Sequence, residues 1–221
     1  MNEAALRSEI VRVARSLFDR GYVHATAGNV SVRLPDAQGF LITPTDACLG
    51  FLEPDRLAHV ALDGSQLSGD RASKTLALHR RIYDADPDAQ CVIHTHSAHL
   101  VALTLTAGCT PGADVLPPIT PYFVMKVGHV PLIAYHRPGD PAAAARVADA
   151  IVAARTRGAP IRAVLMERLG PNVWHESPAA AMATLEELEE TARLWLMTTP
   201  RPAALGDERI EELRRIFGAR W

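Results

Sequence analysis

Residues 89–100 read AQCVIHTHSAHL. The run from Cys91 to Ile93 is apolar without alternation and ends in two histidines, which predicts a strand buried on both faces. Ser97 then opens SAHLVALTLTAG (97–108), predicted as a helix. Histidines two residues apart on a strand project to the same side. His94 and His96 can therefore share one ion, and imidazole nitrogens suit Zn, Mn, Fe or Co. His99 falls one helical turn further on and reads as an exposed or capping histidine.

Working outward, SKTLALHRRIYDADP (73–87) before this strand has helical periodicity and closes at Asp-Pro. GFLIT (39–43) and LAHVAL (57–62) read as strands, as do VPLIAY, IRAVLME and, after a turn, part of GPNVWHE. The opening stretch places Leu6, Ile10, Val13 and Leu17 on one helical face. Asp140-Pro141 and Ser177-Pro178 each combine an N-cap residue with proline at the first helical position, so both start helices. The stripe Met182, Leu185, Leu188 and Trp195 on the second is packing. DERIEELRRIFGARW forms a last helix. Strands adjacent in sequence, with helices before and after, predict an α/β fold: a central, mostly antiparallel sheet between helical layers, in one domain over 1–221.

The chain has 221 residues, enough for a sizeable core, and its 48% hydrophobic and 22% charged residues are those of an ordinary soluble protein. A net charge of −2 argues against a nucleic-acid or membrane surface. No apolar run is long enough to span a bilayer, and the charged N-terminus is a helix rather than a secretion signal. Cys48, Cys91 and Cys109 are odd in number and scattered, which points to a reducing, cytoplasmic setting.

Three turns are built for anions. In HATAGNVSVRL (24–34), Thr26, Gly28 and Asn29 bring backbone N–H groups, a hydroxyl and an amide together. LITPTDACLG (41–50) offers Thr43 at a strand end. DRASKTLALH (70–79) puts Ser73 and Lys74 at a helix start, where N–H groups, a hydroxyl and an ammonium converge. Each also reads as an ordinary polar turn; three in one chain weigh more than one.

The order TxGN, LITPT, SK at a helix start, then HxH after an apolar strand resembles the class II aldolase/adducin family, over residues 1 to about 200. PPITPYFVMKVGHVPLIAYHRPGDP (117–141) is similar to its 3-oxo-tetronate 4-phosphate decarboxylase branch. The resemblance implies the family's three-layer fold. It implies a phosphate held by Thr26, Gly28, Asn29, Thr43 and Ser73, with Lys74 where aldolases have a second serine. It implies a divalent ion on His94 and His96, with Zn expected and Mn or Co as alternatives. It further implies a homotetramer in which a tyrosine matching Tyr122 crosses to a neighbour's site as proton donor. Lys126, four residues on, would share a helical face with Tyr122 and offer a cation to a carboxylate. His136 and Arg137 read as turn or interface residues.

Two positions depart from the aldolase pattern. Thr75 stands where aldolases place a catalytic Glu, and Leu169 where they place a third metal histidine. Glu167 and His175 are the candidates to replace the lost ligand. Retro-aldol cleavage needs a base for a hydroxyl proton, whereas a β-keto acid needs only its enolate stabilised and one proton returned. Loss of the Glu is tolerable for a decarboxylase and severe for an aldolase. The expected function is therefore metal-dependent decarboxylation of 3-oxo-tetronate 4-phosphate to dihydroxyacetone phosphate, with a catalytic set of Thr75, Tyr122 and Lys126. A sugar-phosphate aldolase and a non-catalytic adducin-like binding protein are the alternatives.

Overall fold

In a computed structural model of the chain, which describes residues 2–106 and 109–221, the strand quoted above lies inside an eight-stranded sheet. Its strands are β1 (Asn29–Arg33), β2 (Phe40–Ile42), β3 (Ala58–Val60), β4 (Gln66–Ser68), β5 (Cys91–His94), β6 (Leu132–Ile133), β7 (Ala163–Met166) and β8 (Gly170–His175). The order is β4-β3-β2-β1-β5-β8-β7-β6, and every neighbouring pair is antiparallel except β6 with β7. The helices are α1 (Glu3–Asp19), α2 (Leu76–Ala85), α3 (Ala98–Leu105), α4 (Pro141–Thr156), α5 (Pro178–Met197) and α6 (Asp207–Phe217). Residues 107 and 108, at the predicted end of α3, lie outside the described residues.

Side-chain alternation sorts the sheet into two cores, which makes three layers. Val30, Val32, Leu41, Cys91, Ile93, Leu165 and Val173 point to one face and pack with Ile10 and Leu17 of α1, Leu100 of α3 and Leu185 and Leu188 of α5. Phe40, Ile42, Val92, Val164 and Trp174 point to the other, beneath Leu76 and Ile82 of α2 and Val147 and Ile151 of α4. Leu6, Ile10, Val13 and Leu17 of α1 are all buried, as their spacing predicts. Asp140 and Ser177 cap α4 and α5 by accepting the N–H of Ala142 and Ala180, with Pro141 and Pro178 opening the helices.

Two strands depart from expectation. The edge strand β4 is exposed throughout and has no hydrophobic alternation to announce it. The segment expected to be a turn and a short strand is instead the six-residue β8, paired on both sides and buried over its first five residues. Its Pro171, which cannot donate to a ladder, sits just past the last residue pair of β5, where only its carbonyl is used. Among the described residues no helix is long and apolar enough to cross a membrane.

Candidate active site

One end of the sheet, on the α2/α4 side, opens into a cavity of about 630 Å³. Its floor runs across consecutive strand ends. Gly28 and Asn29 lead into β1, His94 ends β5 with His96 beyond it, Asn172 is on β8, and Met166 ends β7. The start of α2 and the turn before α4 form the walls.

His94 is almost wholly buried, and its Nδ1 donates to the Pro171 carbonyl oxygen at 2.8 Å. A carbonyl can only accept, so the proton is on Nδ1 and the Nε2 lone pair is left free. A backbone carbonyl that fixes the tautomer in this way is the usual outer support of a metal-bound histidine. Burial, then the neighbouring His96, holds the His94 pKa down at about 4, so the ring is neutral at ordinary pH. The His96 pKa is lowered by burial and then by His24. The rings of His94 and His96 lie 5.1 Å apart, edge to face, and His24 approaches His96 at 6.4 Å. Asn29, paired with His94 across β1 and β5, has a buried Oδ1 with no hydrogen-bond partner among the described residues. Two neutral imidazoles beside an unpartnered carbonyl oxygen fit a divalent ion. Among the described residues no third His, Cys, Asp or Glu completes a ready-made cage, so substrate oxygens and water would fill the remaining positions.

Thr26, Gly28, Asn29, Ser73, Lys74 and Thr75 all line the same cavity. Gly28 has φ +84°, and a Cβ there would meet Val23 Cγ1 at 2.6 Å and the His94 carbonyl oxygen at 3.0 Å. Only glycine lets this turn lie against β5. Ser73 and Thr75 share a hydroxyl–hydroxyl hydrogen bond of 2.9 Å ahead of α2. Lys74 between them is exposed and has no ion-pair partner among the described residues.

Other expected site residues are placed elsewhere. Thr43 is fully buried, and its hydroxyl accepts the Val30 N–H while its carbonyl accepts from Ser73 N. It braces the two anion turns and does not reach the cavity; Thr45 and Asp46 line the wall instead. Tyr122 and Lys126 are exposed, at and within the π-helical turn Phe123–Val127, and neither borders this chain's cavity. The Glu167 carboxylate accepts the Tyr135 N–H, and Glu167 does not line the cavity that holds the histidines. His175 pairs with Cys91, three residues along β5 from His94, and its Nδ1 accepts the Glu176 N–H. Neither replaces the lost ligand. Leu169 does line the cavity, so an apolar group stands where the aldolase pattern has a third histidine. Arg137, expected to be a turn or interface residue, is a cavity residue, and Arg81 and Asn172 are cavity residues that nothing in the local sequence singled out.

Comparison with known proteins gives the family of the chain. Residues 8–196 match the family model described as Class II Aldolase and Adducin N-terminal domain. A 3-oxo-tetronate 4-phosphate decarboxylase of Cupriavidus necator is 58% identical over 99% of both chains, and one of Escherichia coli is 43% identical over 96% of both. The crystal structure of Escherichia coli YgbL superposes with a TM-score of 0.87 at 41% identity, covering 96% of this chain and 99% of that one. An L-fuculose 1-phosphate aldolase shares the fold, with a TM-score of 0.81 at 22% identity. With a family model matching residues 8–196 and a relative 58% identical along nearly the whole chain, this chain belongs to the class II aldolase and adducin family.

Proposed function

We propose that the protein is a metal-dependent carboxy-lyase that converts 3-oxo-tetronate 4-phosphate to dihydroxyacetone phosphate and carbon dioxide. The observation that carries this reading is the pairing of anion turns and imidazoles in one cavity with a hydroxyl, Thr75, at the start of α2. The relatives named as decarboxylases along nearly the whole chain support it.

The class II aldolases of this family typically use a divalent metal; His94 and His96 would hold it here, with Zn the expected ion and Mn or Co the alternatives. When bound, the ion supplies positive charge beside the enolate that forms as carbon dioxide leaves. Gly28, Asn29, Thr26, Ser73 and Lys74 hold the phosphate and so fix the position of the carbon chain. The C1–C2 bond breaks, its electron pair moves into the C2–C3 enolate, and one proton returns to C2. Tyr122 supplies that proton from a neighbouring copy in a homotetramer, with Lys126 beside it. The exposure of both residues, outside their own chain's cavity, supports such a crossing.

Aldol cleavage would need a base to take a hydroxyl proton, and a threonine cannot serve as one at neutral pH. The test gives the metal-loaded protein 3-oxo-tetronate 4-phosphate and fuculose 1-phosphate side by side. Release of carbon dioxide with little ketose cleavage is the expected result. Cleavage without decarboxylation would restore the aldolase, and inertness toward both would leave a binding protein.

A further inference from the structure

The cavity runs across the strand ends in a fixed order, and cations stand at both extremes of it. Lys74, with the anion turns, lies on the β1 and β2 side. The imidazoles end β5 near the middle, Asn172 and Met166 follow on β8 and β7, and Arg137 arrives last, four residues beyond the edge strand β6. The backbone of Arg137 is held in the turn, and the residue is exposed. The Asp140 N–H donates to the Arg137 carbonyl at 3.1 Å, Gly139 takes φ +79° in the turn, and Asp140 caps α4 through Ala142 N at 3.0 Å. The Asp140 carboxylate caps α4 and lies 3.7 Å from His136; Arg137 attracts it only at longer range and has no ion pair among the described residues. A guanidinium left unpaired on a cavity wall is a fork waiting for a planar anion.

We infer that Arg137 forms a second anion subsite, which binds the carboxylate of a substrate whose phosphate lies at the Ser73–Lys74 end. This deepens the functional reading above and rests on it. A four-carbon acid phosphorylated at C4 has the same linear order as the cavity: phosphate, then the 3-oxo and 2-hydroxyl oxygens, then carboxylate. The carboxylate loses its charge as carbon dioxide departs, so the guanidinium binds the ground state more tightly than the transition state. Arg137 therefore acts on substrate choice and KM rather than on kcat.

The test uses two unreactive ligands, 4-phosphoerythronate and erythritol 4-phosphate, which differ in the carboxylate. Titration calorimetry on the wild-type protein should show the acid binding roughly tenfold to a hundredfold more tightly, the range of one charge-assisted pair. Arg137→Gln should erase that preference while leaving erythritol 4-phosphate binding unchanged. In turnover it should raise KM with kcat unchanged or higher. Equal weakening of both ligands by Arg137→Gln, or loss of the preference in Arg81→Gln instead, would overturn the assignment. So would equal binding of the two ligands by the wild type, and that outcome leaves the decarboxylase reading intact if carbon dioxide is still released. Failure of the wild type to bind either ligand would remove both.

Discussion

His94 on β5 and Pro171 on β8 are joined by a 2.8 Å hydrogen bond from imidazole Nδ1 to carbonyl oxygen. The bond turns a strand residue into an oriented donor, because it consumes the only ring proton and leaves Nε2 bare. His94→Ala should therefore abolish bound divalent metal, read by elemental analysis after purification, with the far-ultraviolet circular dichroism unchanged. Full metal occupancy in that variant would remove His94 from the ligand set.

Gly28→Ala puts a Cβ into the space held by Val23 and the His94 carbonyl, at φ +84°. Strain at such a position costs about 1–3 kcal/mol. We expect a lower denaturation midpoint together with weaker binding of inorganic phosphate, since the same turn packs against β5 and lines the cavity.

Glu189 on α5 is buried, and its two oxygens accept the N–H groups of His99 and Leu100 and the ring nitrogen of His99. It takes the place of an N-cap for α3, whose Ser97 makes no side-chain cap bond. Glu189→Ala leaves those donors without an acceptor and should cost about 2–3 kcal/mol in urea denaturation. A loss under 0.5 kcal/mol, roughly that of a neutral surface change, would show that water satisfies them.

His79 is fully buried, with Nδ1 2.7 Å from Ser31 Oγ, and burial, then His94, lowers its pKa to about 3. It stays neutral in the fold and takes up a proton only on unfolding. Stability should fall as pH drops below about 6.5, and keep falling toward pH 3, by about 1.4 kcal/mol per unit for this group. Thermal melts of His79→Gln should show a shallower acid slope than wild type. Equal slopes would mean that other groups dominate acid unfolding.

Tyr122→Phe should lower kcat by roughly 10²–10⁴-fold if the phenol returns the proton. Metal content and the oligomeric state read by light scattering should be unchanged. A monomeric wild type at micromolar concentration would leave Tyr122 without a cavity to reach.

The local patterns of the sequence determined the layers. The uninterrupted apolar runs into His94 and through β2, the Val-Ser-Val alternation in β1 and the capped starts of α4 and α5 depend on period and end chemistry that neighbouring residues alone specify. The HxH pair and the Gly28 and Ser73–Lys74 turns were legible for the same reason, since each site element is contiguous. The fates of Thr43, Glu167, Arg137 and Leu169 were not. Thr43 and Glu167 bear polar groups suited to a site, yet each is consumed by a backbone N–H brought to it by another segment, from Val30 and Tyr135. Arg137 looked like a turn residue and became part of the cavity because α4 packs over α2 and carries its N-terminal turn across the strand ends. Short-range chemistry is written residue by residue, but which polar group is left free to act depends on partners supplied from across the fold.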